Sequence, residues 1–257
     1  MRAKGQTDDE QAVQEVSIEA TNTAGPQVTQ VCRAVEETKT TYDRLSRCYD
    51  LLTCFGERDL TEAGLRALRV RSGERVLEVG FGSGRGLLAL GRMIGESGLV
   101  HGIDISEGMC RVAQRKVRDA GLDDRVTLTR GDARVLPYGT DEFDAVFLSF
   151  TVELFDEPDA PLVLRECRRT LREQGRLGVV SLSQDQELGL VGRLYQWLHT
   201  KFPRYLDCRP IPVEHTLRDA GFEPSDTGGR SLWGLPVAIV VATSATRPDG
   251  NRQGSYV

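Results

Sequence analysis

The stretch Val76-Leu77-Glu78-Val79-Gly80-Phe81-Gly82-Ser83-Gly84 joins an apolar run carrying one acid to three glycines at alternate positions. The apolar run predicts a buried parallel strand. The glycines predict a tight turn at its end, where backbone comes close to a ligand. Such a turn suits a cofactor that carries a nucleoside. The dinucleotide fingerprint G-x-G-x-x-G fails here, because the sixth position counted from Gly80 is Arg85. What stands is G-x-G-x-G, with Glu78 two residues ahead of the first glycine.

Three more groups recur at the ends of expected strands. Asp104 closes Gly102-Ile103-Asp104-Ile105-Ser106, where a carboxylate can accept both hydroxyls of a ribose. Asp132, in Gly131-Asp132-Ala133, can accept from an adenine amino group. Phe143-Asp144-Ala145-Val146 opens a strand whose far end, at Ser149, falls beside the expected cofactor. The alternative is that each acid only caps a neighbouring helix.

In this order and spacing the set resembles the class I S-adenosylmethionine-dependent methyltransferases, over about residues 40–183. The resemblance implies S-adenosyl-L-methionine as cofactor. It implies that Gly80, Gly82 and Gly84 approach its methionine part, with Glu78 behind that end and Ser149 alongside. By the same resemblance Asp104 binds the ribose, Asp132 and Ala133 read the adenine, and Ile105 and Met109 flank its ring. Tyr42-Asp43 and Tyr49-Asp50 lie seven residues apart. That pair resembles a signature of the ubiquinone and menaquinone C-methyltransferases and of related bacterial phosphatidylethanolamine N-methyltransferases. It implies that Tyr42 and Tyr49 reach the cofactor's carboxylate or sulfonium; packing in a core is the alternative. The quinone enzymes continue with a polar signature ending in His and Trp, which Leu51-Leu52-Thr53-Cys54-Phe55-Gly56 does not match. The acceptor therefore stays open between a quinol-like ring and a phospholipid amine, with a thiol or another small metabolite as the alternative.

Methyl transfer needs the acceptor held in line and, for some acceptors, a base. Glu153, in Phe150-Thr151-Val152-Glu153, is one candidate and His199, in Trp197-Leu198-His199, another. His215 suits a capping or surface role. Pro203-Arg204-Tyr205-Leu206-Asp207-Cys208-Arg209-Pro210 places two arginines where they can anchor an anionic group or pair with Asp207. Tyr195, Trp197, Phe202, Leu232 and Trp233 give an apolar, aromatic wall. Tyr195, His199, Arg204, Arg209 and Trp233 are thus the candidate substrate contacts.

Strands and helices alternate around these groups. Tyr42, Leu45, Tyr49, Leu52 and Phe55 mark a first amphipathic helix, and Thr61–Val70 a second with Thr61 as its cap. Strands are expected at Arg75–Val79, Leu99–Ile105, Val126–Thr129, Phe143–Phe150, Arg176–Ser183, Phe222–Arg230 and Val237–Thr243. Helices are expected after the glycine turn, after the cap Ser106, over Asp159–Glu173 and over Glu214–Ala220. This order predicts an α/β, Rossmann-like, seven-stranded and mostly parallel sheet with an antiparallel C-terminal strand. Helices should cover both faces, with N-terminal helices ahead of the sheet. Residues 184–213 then form a lid or substrate wall inserted after the fifth strand. Residues 1–35 and 246–257 read as loose tails around a 36–245 domain.

The chain of 257 residues fits one domain with tails, and its net charge of −5 argues against nucleic acid as partner. Cys32, Cys48, Cys54, Cys110, Cys167 and Cys208 form no C-x-x-C, so no zinc site is expected, and reduced thiols fit a cytoplasmic protein. No leader-like apolar segment and no run of about 18 apolar residues occurs. A peripheral contact with a membrane surface remains open. Two competing functions are a non-catalytic cofactor-binding partner protein and a nicotinamide oxidoreductase, the second opposed by Arg85.

Overall fold

In the computed structural model, residues 57–184, 210–232 and 234–244 are described. They hold five α-helices: α1 (Glu57–Leu68), α2 (Arg85–Met93), α3 (Glu107–Asp119), α4 (Ala160–Thr170) and α5 (Val213–Asp219). The strands are β1 (Arg75–Val79), β2 (Leu99–Asp104), β3 (Val126–Arg130), β4 (Phe143–Ser149), β5 (Leu171–Leu182), β6 (Phe222–Leu232) and β7 (Leu235–Ser244). Together they form one sheet in the order β3-β2-β1-β4-β5-β7-β6. The first five pair in parallel, and β7 runs antiparallel to both of its neighbours. The expected seven-stranded, mostly parallel sheet with an antiparallel C-terminal strand is therefore present.

Two-residue alternation along the strands divides the core between the faces. Leu77, Val79, Val146, Leu148, Leu177 and Val179 point to one side, which α4 and α5 cover through Val163, Leu164, Val213 and Leu217. Val76, Val100, Ala145, Phe147 and Val180 point to the other, under Leu65 and Leu68 of α1, Leu87 and Leu90 of α2 and Ala113 of α3. The strand order turns back between β1 and β4, which opens a crevice at the carboxyl ends of the strands.

Several boundaries move. The helix expected over Thr61–Val70 begins at Glu57, so Thr61 lies inside α1 and is not its cap. The helix expected over Asp159–Glu173 ends at Thr170. Its last carbonyls are taken from outside, since Asp141 and Glu142 donate their N–H groups to Arg169 and Thr170. The chain then pairs Leu171 with Phe143, bends at Gln174 (φ 64) and resumes pairing at Arg176 with Ala145. β6 and β7 pair as far as Leu232 with Leu235, beyond the expected ends, although Pro236 stands in β7. The expected Tyr42–Phe55 helix, both tails and residues 185–209 of the expected lid lie outside the described residues.

Candidate functional site

β1 is buried from Val76 onward and delivers the glycine turn to the crevice. Gly80 donates its N–H to the Ile103 carbonyl at 2.8 Å, so the turn leaves β1 still bonded to β2. Gly80, Gly82 and Gly84 have φ of 70, 50 and 84°, the left-handed region. Their environments differ. A Cβ on Gly80 would run into Thr151, and one on Gly84 would sit 2.8 Å from Ala113 Cβ. Those two glycines are required by the protein's own packing. A Cβ on Gly82 would meet none of the described residues within 4 Å, so among them the space for a close approach lies over Gly82.

Asp104, at the end of β2, holds that turn. Its Oδ2 accepts the Gly82 N–H at 2.8 Å and its Oδ1 accepts the Ser106 N–H at 2.9 Å. Ser106 accepts in turn from Met109 N–H at 3.2 Å and caps α3 as expected. Ile105 is half-buried and Met109 buried. Glu78 is 3% exposed, and its Oε2 has no hydrogen-bond partner among the described residues. Burial first, and the Asp104 charge second, push its carboxyl well above the usual range. The carboxylate is seated against the first turn of α2, where a Cβ on Gly86 would collide with it.

Asp132 and the buried Ala133 follow β3. Asp132 accepts the Arg134 N–H at 2.9 Å and is gripped by the same residue's guanidinium, Nη2 to Oδ2 at 2.6 Å. Burial raises the Asp132 carboxyl, but the Arg134 hydrogen bonds and charge outweigh it and hold it below its ordinary value.

A second polar group lies at the carboxyl ends of β4 and β5. Ser149 shares a 2.9 Å hydroxyl–hydroxyl bond with Thr61 of α1. Thr151 donates to the Ser149 carbonyl at 3.0 Å while its side chain covers Gly80. Glu153, in a short 3-10 turn, is 2% exposed. Its oxygens accept Ser181 Oγ–H at 2.9 Å and Leu182 N–H at 3.2 Å. Burial pushes Glu153 up to about 7, with the charge of Glu57 adding to the rise. Glu57, the first residue of α1, is also pushed up to about 7 by burial, against the pull of Arg85.

Of the sequence candidates, the structure brings Glu78, Gly82, Asp104, Ser106 and Met109 together around one turn. Ser149 and Glu153 stand on the adjoining strand ends, and Asp132 beyond β3. Tyr42, Tyr49, Tyr195, His199, Arg204, Arg209 and Trp233 lie outside the described residues. His215 is exposed and its Nδ1 faces Asp219 Oδ2 at 2.9 Å, a surface pairing. Sequence reasoning missed Glu57, Thr61, Thr151 and Arg134. An acid in the first turn of a helix and an Arg two residues after Asp132 were the available signals.

Residues 76–175 match the family described as a methyltransferase domain. The segment runs from β1 into β5 and contains the glycine turn, Asp104, Asp132 and Glu153. Residues 76–175 thus form a methyltransferase domain, and the likenesses that follow make S-adenosyl-L-methionine the cofactor to set against the site. It is 34% identical over 143 residues to a demethylmenaquinone methyltransferase of Lactobacillus johnsonii, covering 56% of this chain and 57% of that one. Methyltransferase GfsG of Streptomyces halstedii is 38% identical over 133 residues, 52% of this chain and 46% of its own. The chain thus spans about half the length of the curated relatives it matches. A solved S-adenosylmethionine-dependent methyltransferase from Aquifex aeolicus superposes with a TM-score of 0.54 at 25% identity, over 71% of this chain and 88% of that one.

The site fits that cofactor on two observations of its own. Among the described residues, nothing stands within 4 Å of a Cβ built on Gly82, which leaves room for a close approach, and the buried Oε2 of Glu78 has no hydrogen-bond partner.

Proposed function

We propose that this protein transfers a methyl group from S-adenosyl-L-methionine to a small, apolar or amphiphilic acceptor that must lose a proton, a quinol-like ring being the first choice. The observation that carries the reading is the space that the described residues leave over Gly82, with the Asp104 carboxylate bonded to the turn and the Glu78 Oε2, which has no partner among those residues, within the field of Asp104.

When bound, the cofactor supplies a methyl group already activated on a sulfonium. The protein's part is to orient and to manage protons. Gly82 lets the backbone approach the methionine portion. Asp104 ties the Gly82 turn to the Ser106 N–H through its two oxygens, and that carboxylate is the proposed partner of the ribose hydroxyls. Glu78 Oε2 takes a hydrogen bond from the amino group. Asp132 takes the adenine amino group, with Ile105 and Met109 against the ring.

On the acceptor side, Glu57 and Glu153 lie within each other's field at the carboxyl ends of β4 and β5. Carboxyl groups raised to about 7 can exchange a proton near neutrality. That favours an acceptor with an ionisable hydroxyl over an amine, which needs no strong base. The names of the curated relatives support a quinone-like ring. Tyr195, His199, Arg204, Arg209 and Trp233, in and beyond the segment that follows Gln184, remain the proposed substrate contacts. Tyr42 and Tyr49 remain proposed contacts of the cofactor.

The test has two stages. Calorimetric titration with the demethylated cofactor, S-adenosylhomocysteine, should show saturable binding that NAD does not compete away. Label from methyl-tritiated cofactor should then pass to demethylmenaquinol. Absence of binding at millimolar concentration removes the methyl-donor reading. Binding without transfer to demethylmenaquinol removes the quinol acceptor only.

A further inference from the structure

The segment after β3 is fixed to the rest of the protein by side chains from α4. Arg169 donates to the carbonyl of Leu136 at 3.1 Å and to that of Tyr138 at 2.8 Å. Glu166, itself paired with Arg169, accepts the Leu136 N–H at 2.9 Å. Nearer to Asp132 the fastening is tighter. Arg134 Nε donates to Asp132 Oδ1 at 3.1 Å and Oδ2 at 3.0 Å, and Nη2 donates to Oδ2 at 2.6 Å. Arg134 Nη1 donates in the other direction, to Asp159 Oδ2 at 2.8 Å, where Asp159 is the residue ahead of α4.

An aspartate on a loop is ordinarily free to rotate about two torsions. Here the Asp132 side chain is 35% exposed, so burial alone does not hold it. The guanidinium does, and the guanidinium is itself anchored at its opposite end. Each Asp132 oxygen accepts from Arg134, Oδ1 from the backbone N–H and Nε and Oδ2 from Nε and Nη2, so one residue fixes the plane and direction of the carboxylate.

We propose that Arg134 is a positioning residue for the cofactor: clamped between Asp132 and Asp159, it sets the plane and direction in which the Asp132 carboxylate meets the amino group of adenine. This rests on Asp132 being the adenine partner in the function proposed above. The role demands a planar fork with fixed donor directions. Lysine, a point charge on a flexible stem, keeps the charge and loses the direction. The anchoring of Arg134 on the residue before α4 also ties adenine recognition to the helix that follows the Glu153 turn.

The experiment is calorimetric titration of the full chain with two probes: S-adenosylhomocysteine, and its 6-deamino analogue carrying hydrogen in place of the adenine amino group. Arg134→Ala should weaken S-adenosylhomocysteine roughly tenfold, the size of one charge-assisted hydrogen bond, while binding of the 6-deamino analogue changes less than about twofold. Arg134→Lys should show most of the same selective loss. Asp159→Asn, which keeps the Asp132 fork but loosens its anchor, should show a smaller one. Thermal unfolding of each variant identifies any that fail to fold, and the milder Lys and Asn variants then carry the measurement. Equal losses for both probes, or no loss for either, overturn the proposal while leaving the methyl-donor reading intact. If the unaltered protein binds neither probe, the methyl-donor reading falls and the role of Arg134 falls with it.

Discussion

At the scale of single residues, Glu78 and Gly86 form one unit. Glu78 can stay in β1 only because position 86 has no side chain to occupy its seat. Alanine is worth about 1 kcal/mol over glycine inside a helix, yet Gly86→Ala should destabilise the protein, because the displaced carboxyl is otherwise 3% exposed. Adding Glu78→Ala should recover much of that loss, and a double-mutant cycle in urea measures the coupling. Glu153 makes a pH prediction. Its folded value of about 7 stands above its ordinary 4.5, so between those limits the folded protein holds a proton that the unfolded chain releases. Stability therefore falls as pH rises from about 4.5 to about 7 and levels off above it. Gln can keep both contacts, its oxygen accepting Leu182 N–H and its amide donating to Ser181 Oγ. Glu153→Gln should thus flatten that slope, gaining on the order of 3 kcal/mol over the parent at pH 8 relative to pH 4.5, by urea titration at both. Methyl transfer in the parent should rise around pH 7, where the Glu153 carboxylate forms in the folded protein. The residues legible in the sequence were those whose role depends on local spacing: the three glycines, Asp104 and Asp132. Thr151 meets Gly80 and Glu57 meets Glu153 across long sequence distances, which no local pattern records.

At the scale of elements, the orientation of α1 decides what reaches the site. Thr61 bonds Ser149 at the carboxyl end of β4, while Arg176, near the start of β5, donates to the Leu68 carbonyl at 2.6 Å. α1 thus runs against β4 and β5, and its first residue, Glu57, comes to the strand ends where ligands bind. Periodicity located this helix and missed its start, because Glu57, Arg58 and Asp59 add no apolar residue to the pattern. The end of α4 was misplaced for a different reason. Glu173 and Gln174 are good helix formers, and the hydrogen bonds that stop the helix come from Asp141 and Glu142. α4 is also the brace for the loop after β3. Arg169→Met keeps a long apolar stem and removes the donors to the Leu136 and Tyr138 carbonyls. It should cost about 2 kcal/mol in urea unfolding, since bonds from a charged donor are lost at half-buried carbonyls.

At the scale of the whole molecule, residues 57–244 carry the complete sheet, and every strand expected from the sequence is in it. The alternation of strand and helix made that legible; the exchange of β6 and β7 in the sheet order was not, since both orders satisfy the same pattern. No helix among the described residues is long and apolar enough to cross a membrane. A ligand that binds only the folded state adds stability, about 2.7 kcal/mol at a concentration of 100 Kd. S-adenosylhomocysteine at that level should therefore raise the midpoint of thermal unfolding by roughly 5–10 °C, and NAD at equal concentration should leave it unchanged.

The place of β7 also bears on how the molecule is made. It lies between β5 and β6, bonded to β5 from Arg176–Thr243 to Leu182–Val237 and to β6 along its other edge. On the ribosome, β5 is complete long before its partner is translated. Until β7 emerges, the growing chain exposes an unpaired edge beside Leu177, Val179 and Val180, residues that are 0–1% exposed in the finished fold. Such an edge recruits other strands. A synthesis stalled or cut before Leu235 would therefore release an aggregation-prone chain, and β7 works as the protein's own chaperone for β5.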